Sequence, residues 1–388
     1  MKLLLYSHYF APSIGGVETI VLSLARGLAE LRADNGSPEF ELTLVTQTPR
    51  ENFDDAALPF PVVRQPRLLQ LMRLVRESDV VHLAGPSLLP LVLGFLARKP
   101  VVVEHHGFQV ICPTGQLVIE SKREPCPGHF MAGRRRECWN CDPALGWIAA
   151  RKLWLMTFVR RWLCRRVSAN VMPTLWLGEQ LQLPNSATIH HGLTTIQAMP
   201  SRATHEVVPI VAFQGRLVST KGATILLQAA KLLLDEGCEL RILIIGDGPE
   251  RTNLEGIAGE APLAGRVRFA GRLAPAELEN AFSSASVVVV PSLGGEVFGL
   301  VVAENMQRGL PVIASNLGAF VEVLGGAGEV FENGDVTELA KKLKEFVMSA
   351  ARRKASADAG EKRARAGFSL KKMTLSHADL YRNVAKGN

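Results

Sequence analysis

The sequence predicts an α/β protein made of two doubly wound parallel sheets. Three observations predict it. Short β-branched runs such as Val287–Val290 recur along the chain, too apolar to face water on either side, as in strands buried within a parallel sheet. Segments with the period of an amphipathic helix lie between them, and regular strand–helix alternation gives parallel sheets. At 388 residues the chain is too long for one typical core, and the irregular, proline-containing stretch 199–209 separates one strand–helix series from a second.

Strands are expected at 2–7, 40–46, 80–83, 101–105, 167–173 and 189–193 in the first half, and at 210–213, 241–245, 267–269, 287–290 and 311–314 in the second. Helices are expected at 18–31, 151–166, 223–234 and 299–308, the last stopped by Gly309 with Pro311 just beyond. The domains expected from this are 1–200 and 201–370, with a cysteine-rich insertion at about 112–141 and a terminal segment 371–388.

Composition excludes several classes. With 47% hydrophobic and 21% charged residues the chain is not of the disordered kind. A formal charge of +7 favours anionic partners such as nucleotide phosphates or acidic headgroups. No nucleic-acid recognition motif accompanies the charge, so no nucleic-acid partner is expected. Residues 1–6 lead into His8 and Pro12 without a small-residue cleavage site, which reads as a first strand and not a signal peptide. The most apolar later window, Leu88–Leu96, is shorter than the roughly 20 residues a membrane span needs. The expected location is cytoplasmic, and six cysteines in such a chain are not a disulfide framework.

The densest chemistry runs from 287 to 315. A strand ends at Pro291, a loop carries Gly294, Gly295, Glu296 and Phe298, and a helix begins near Gly299. The first N–H groups of that helix, from Gly299, Leu300 and Val301, together with its dipole, suit a diphosphate at the strand's carboxyl end. Glu296 and Glu304 stand on either side of that position and can accept hydrogen bonds from the hydroxyls of a sugar and a ribose. Arg216 and Lys221, in the loop between strand 210–213 and the next helix, can neutralise a diphosphate without a metal. Gly246, in Ile244-Ile245-Gly246-Asp247-Gly248, lets a ligand or another loop come close. No Walker loop, nucleophile elbow or H-E-x-x-H is present, which leaves phosphate hydrolysis, serine esterase and zinc peptidase chemistry without support.

In the first half, Gly15 and Gly16 precede a helix and read either as a turn or as a close approach to ligand. His82, and the pair His105-His106 followed by Gly107, lie at strand ends, where ligands bind in open α/β sheets. Cys112, Cys126, Cys138 and Cys141 admit three readings: a structural zinc site, incidental or redox-sensitive thiols, or an iron–sulfur cluster. On helix 151–166, Leu153, Met156, Val159 and Leu163 form the expected packing face, opposite Trp154, Phe158 and Trp162 with Arg151, Arg161 and Arg165. That outward face suits an anionic membrane surface or the head of a lipid-linked acceptor, or else packs against neighbouring elements.

The order Gly15-Gly16, Gly215-Arg216 with Lys221-Gly222, Ile245-Gly246-Asp247-Gly248-Pro249, Val267-Arg268-Phe269-Ala270-Gly271, Glu296 followed by Glu304, and Gly309-Leu310-Pro311 resembles family 4 of the retaining glycosyltransferases over nearly the whole chain. The resemblance implies a GT-B fold: two Rossmann-like domains facing a central cleft, the donor held mostly by the second domain and the acceptor by the first, and a final helix returning to the first. It implies a nucleoside diphosphate sugar as donor, a glycan or lipid-linked acceptor on the side of His105 and the aromatic helix, and no catalytic cofactor. Arg216 and Lys221 take the phosphates, Glu296 the donor sugar, Glu304 the ribose, and His106 the place of an active-site histidine. The four-cysteine insertion resembles one found in a subset of such transferases. Asn305, Gln307 and Arg308 depart from the usual Glu-Ala-Met-Ala-Cys-Gly, and His191-Gly192-Leu193-Thr194 from the usual Asn-Gly-Val-Asp turn. The function expected is retaining hexosyl transfer in cell-surface polysaccharide or glycolipid synthesis, peripheral on the inner membrane face. Its rivals are another GT-B enzyme, an epimerase or a phosphorylase, and a non-catalytic binding scaffold.

Overall fold

The computed structural model describes residues 1–13, 15–196 and 208–387. Ile14 and nearly all of the expected joint at 199–209 therefore lie outside the described residues. The chain divides into two compact units. The first comprises Met1–Gln116, Gly128–Thr194 and Phe368–Asn388; the second comprises Leu117–Pro127 and Thr195–Gly367.

In chain order the strands of the first half are β1 (Lys2–Ser7), β2 (Glu41–Thr46), β3 (Val62–Arg64), β4 (Val80–Ala84), β5 (Val101–Glu104), β6 (Val118–Ile119), β7 (Glu124–Pro125), β8 (Ala169–Met172) and β9 (Ser186–Thr188). β6 and β7 form a small antiparallel hairpin that belongs to the second unit. The others make one seven-stranded sheet, all parallel, in the order β3-β2-β1-β4-β5-β8-β9. Leu3, Leu4 and Leu5 on β1 and Val101, Val102 and Val103 on β5 are all buried, because helices cover both faces of a parallel sheet.

Two elements differ from expectation. β3 is a short, half-buried edge strand whose three residues carry no periodicity to read. The last strand is Ser186–Thr188 and not 189–193. The backbone at Leu193 is engaged elsewhere: its N–H donates to Phe368 O (2.8 Å) and its carbonyl accepts from Leu370 N (3.2 Å). Gly192 is needed there, since a Cβ would lie 2.6 Å from Leu370 Cα.

That contact seats the terminal helix Leu370–Lys386, capped by Ser369, whose Oγ accepts from Lys372 N (3.2 Å). Its inward stripe is Met373, His377 and Tyr381, spaced by four and therefore on one face. The helix packs against Gly16–Glu30 closely enough that a Cβ on Gly27 would lie 2.3 Å from Thr374 Oγ1.

The second unit holds β10 (Ile210–Gln214), β11 (Arg241–Ile245), β12 (Val267–Gly271), β13 (Val287–Val290), β14 (Val312–Ser315) and β15 (Glu329–Phe331), parallel throughout, in the order β12-β11-β10-β13-β14-β15. Its core joins Leu226 and Leu227 to Leu339, Leu343 and Phe346. The loops after β10 and β11 meet backbone to backbone: Leu217 N donates to Asp247 O (3.0 Å) and Glu250 N to Leu217 O (2.9 Å). Among the described residues no helix is long and apolar enough to cross a membrane.

Gly246 sits at φ +135° with a hypothetical Cβ only 1.8 Å from Gly215 O, whereas Gly256 lies within the helix Arg251–Ala258 with open space around it. Gly246→Ala should therefore lose at least about 2 kcal/mol in urea unfolding, while Gly256→Ala should gain up to about 1 kcal/mol. Equal midpoints for the two variants would contradict this loop packing.

Candidate active site

In an open parallel sheet the ligand crevice opens where the strand order reverses, because the connections on either side of that point leave in opposite directions. In the second unit the reversal falls between β10 and β13. The two loops that leave these strands carry four of the residues singled out from the sequence. Arg216 is exposed and Lys221 half-buried after β10; Glu296 and Gly299 follow β13. The loops touch: Leu293 N donates to Thr220 O (2.8 Å), and Gly222, at φ +68°, leaves no room for a Cβ beside Pro291 O at 1.9 Å.

At their meeting point Lys221 Nζ donates to Glu296 Oε1 in a short ion pair. Ser292 Oγ donates to the same oxygen at 3.1 Å, and Ser292 is itself held by Ser315 Oγ, which donates to Ser292 O at 2.6 Å. The lysine and glutamate side chains keep 26% and 16% exposure, so the pair can still meet a ligand. The helix Leu300–Gln307 starts from Gly299, at φ +92°, where a Cβ would be 2.6 Å from the Phe320 ring. Its first N–H groups, including those of Leu300 and Val301, have no partners within the helix and face the same strand ends.

Glu304, on the second turn, is 25% exposed and has Arg308 Nη1 at 3.9 Å. Burial raises its pKa, against the lowering effect of Arg308. The side chains of Asn305, Arg308 and Gln307 each have partners. Asn305 Nδ2 donates to Gln214 Oε1 (3.2 Å) and Val301 O (2.8 Å). Arg308 makes a forked pair with Glu279 (2.7 and 3.0 Å) and lies 4.8 Å above the Phe282 ring. Gln307 Oε1 accepts from Ile196 N (3.2 Å). Gln214, Glu279 and Ser292 escaped the sequence reading because nothing in their spacing marks them, although Gln214 ends β10 and Ser292 shares the loop of Glu296. The Phe298 ring is 1% exposed and backs the loop from inside, and Gly246 allows the close approach of another loop, that of Gly215, one of the two readings its turn admits.

The first unit reverses between β1 and β4. Gly15 and Gly16 follow β1 and open the helix Gly16–Glu30, with Gly15 in extended backbone at φ −170°. The Glu18 carboxylate lies against Gly15, 2.5 Å from where a Cβ would stand. The first unit also holds an unexpected feature. Glu104, fully buried at the end of β5, is surrounded by His82 Nε2 (3.2 Å), His191 Nδ1 (3.5 Å), His377 Nε2 (3.6 Å) and His106 Nε2 (3.7 Å). Burial alone would raise the Glu104 carboxyl, but the neighbouring rings, His106 foremost, hold it well below the usual range. Burial also lowers His82 and His106, and takes His191 to about 3. Sequence reasoning found His82, His105 and His106 but missed Glu104, whose carboxylate looks out of place in a buried valine strand. It also missed His377, which arrives from the far end of the chain.

Three expectations in the first unit change. His105 is not on an acceptor surface: it is wholly buried, its Nε2 pairs with Asn170 Oδ1 (2.9 Å), and burial lowers its pKa to about 4. The basic aromatic helix runs from Trp147 to Cys164, with Ala150, Thr157, Leu163 and Cys164 buried, so its inward face is rotated from the one expected and Val159 lies outside. Arg161 points inward and donates to Leu181 O (2.7 Å), and Trp154 packs against Phe130 and under Arg135. Phe158 and Trp162 are half exposed as expected, joined by Trp147, Ile148 and Leu155. None of the six cysteines is in a disulfide. Cys126 lies beside the β6–β7 hairpin of the second unit, while Cys112, Cys138 and Cys141 belong to the first. Those three do not form a ligand cluster: among the described residues, groups of three or more ligating atoms consist of histidine and glutamate.

Residues 197–363 match the family described as Glycosyl transferases group 1. The phosphatidyl-myo-inositol mannosyltransferase of Mycobacterium leprae is 28% identical over 346 residues, covering 85% of this chain and 83% of that protein. The 2-deoxystreptamine glucosyltransferase of Streptomyces kanamyceticus is 33% identical over 138 residues, 35% of each. Among solved structures, sucrose-phosphate synthase from Thermosynechococcus elongatus superposes over the whole of both chains with a TM-score of 0.73 at 20% identity. HepE from Anabaena, in complex with UDP and glucose, gives 0.72 at 17% identity over 99% of this chain and 100% of that one. The chain thus has the GT-B fold, and its residues 197–363 match the glycosyl transferases group 1 family.

Proposed function

We propose that this protein is a retaining glycosyltransferase that moves a hexosyl unit from a nucleoside diphosphate sugar to a hydroxyl of a glycan or lipid-linked acceptor. The observation that carries the proposal is the Lys221–Glu296 ion pair beside the Gly299 helix start, at the strand reversal of the second unit. A cation, a row of N–H groups and a carboxylate are what a sugar diphosphate asks for. Lys221, Arg216 and the helix start would bind the diphosphate and stabilise its growing charge as it leaves, without a metal. Glu296 would accept hydrogen bonds from the sugar hydroxyls and orient the ring, and Glu304 would take the ribose. Attack from the leaving-group face, with the departing phosphate oxygen accepting the acceptor's proton, retains the anomeric configuration and needs no protein nucleophile. His106 keeps the role its motif position implies. The UDP and glucose bound to HepE and the mannosyl transfer named for the Mycobacterium leprae relative support this class of donor and a lipid-linked acceptor.

The helix Trp147–Cys164 supports a membrane-facing acceptor. Trp147, Ile148, Leu155, Phe158 and Trp162 are between 50% and 67% exposed. Arg151 and Arg166 lie over the Trp147 and Trp162 rings at 4.8 and 3.9 Å. Aromatic rings paired with arginines suit the headgroup zone of an anionic bilayer.

Lys221→Ala and Glu296→Gln should each lower kcat/KM in a transfer assay by about 10²–10³, or about 3–4 kcal/mol, with unfolding midpoints little changed. Near-wild-type turnover in Lys221→Ala would sink the assignment. The cognate nucleoside diphosphate, at a hundredfold excess over its Kd, should stabilise the protein by about 2.7 kcal/mol in thermal melts. Glu304→Gln should weaken that shift, and a panel of UDP, GDP and ADP that moves no melt would argue against the donor class. Binding to phosphatidylglycerol vesicles at low salt should fall at least about tenfold in Phe158→Ser/Trp162→Ser, since a buried aromatic contributes about 1.5–3 kcal/mol. Wild-type protein that ignores such vesicles would overturn the membrane contact.

A further inference from the structure

The buried cluster beneath the first unit's strand ends has a use that the transfer reaction does not require. His82 on β4, Glu104 on β5 and His377 on the terminal helix are each fully buried, and their facing atoms lie within 4.8 Å of one another. His82 Nε2 and His377 Nε2 stand 3.2 and 3.6 Å from Glu104 Oε2. None of these three atoms has a hydrogen-bond partner of good geometry despite the short separations. Two ring nitrogens and a carboxylate oxygen thus crowd one buried focus.

The spacing suits an ion at that focus. Zinc ligands at roughly 2.0–2.1 Å in tetrahedral array are about 3.3 Å apart. The far sides of both rings are also held as they are in metal sites, where a second partner fixes the tautomer and leaves a lone pair for the ion. His377 Nδ1 donates to Met373 O at 2.9 Å, so its Nε2 presents a lone pair to the cluster. His82 Nδ1 pairs with Tyr381 Oη at 2.7 Å. Charge points the same way. A fully buried carboxylate is costly as a bare charge, and a divalent cation would balance it.

We propose that His82 Nε2, Glu104 Oε2 and His377 Nε2 are the protein ligands of a structural divalent metal ion, zinc by preference, that fastens the terminal helix to the first sheet. Buried imidazole and carboxylate ligands favour zinc over the harder magnesium and calcium. The site is distinct from the cysteines and takes no part in binding the diphosphate.

The test uses the full chain, its affinity tag removed, purified without chelator from zinc-supplemented medium. Elemental analysis should find about one equivalent of zinc, retained in Cys138→Ser/Cys141→Ser and lost in His377→Gln. Stripping the metal should lower the melting temperature, and zinc alone should restore it. Cobalt-substituted protein should show visible d–d bands without a thiolate charge-transfer band in the near ultraviolet, a readout that holds even where His377→Gln does not fold. Protein free of metal, zinc lost with the cysteines, or a thiolate charge-transfer band would each overturn the proposal.

Discussion

Parallel strands put all their carboxyl ends on one edge, and wherever the strand order reverses the loops on either side have to part. That constraint organises both units of this chain. In the second unit it brings the loop after β10 beside the loop after β13, and the pairing of Lys221 with Glu296 follows from it. Residues 75 apart in sequence meet because the two strands they leave are neighbours. The glycines act in support of the same constraint. Gly222 allows Pro291 O to approach and Gly246 allows Gly215 O, so that three loop backbones stack where side chains would have held them apart.

The chain also buries polar groups that most cores exclude, and it does so where an element arrives from a distance. Arg308 is 5% exposed and keeps its charge through a forked pair with Glu279 and the face of Phe282. Losing one partner of such a pair costs more than the pair contributes, because the remaining charge stays buried. The same reasoning applies with greater force to Glu104. A carboxylate with no exposure, beside rings from β4, the His191 loop and the terminal helix, makes the first unit's core depend on all three being in place.

Strands with strong β-branched runs were legible in the sequence, and so was the grouping of charged residues at one strand reversal, because each of them sits next to a strand end or glycine loop that marks it. Arg216, Lys221, Glu296, Gly299 and Glu304 all fall at the strand reversal or on the helix leaving it. Legibility failed where the partner is distant or the period is ambiguous. β3 is too short to show alternation, and residues 189–193 look like a strand until the terminal segment takes their backbone groups. The helix Trp147–Cys164 has apolar residues on every side, so its sequence fixes no single face. The buried stripe through Ala150, Thr157 and Cys164 was decided by small residues that allow close packing, and the larger Leu155 and Val159 were left outside.

The ion pair between Lys221 and Glu296 bears on how the proposed reaction would be ordered. Without a donor, each side chain satisfies the other, and neither is available at full strength for a ligand. A diphosphate entering beside the helix start offers Lys221 a partner of higher charge, and the lysine that turns to it releases Glu296. The freed carboxylate is then short of a hydrogen-bond donor while a sugar with several hydroxyls lies attached to the same phosphate. Phosphate binding would thereby create the demand that sugar binding meets. A bare diphosphate would leave Glu296 unpaired, except for Ser292, and so would bind less well than its contacts suggest. Discrimination for the intact donor would thus come from the exchange of partners at one lysine and would need no large movement of the fold.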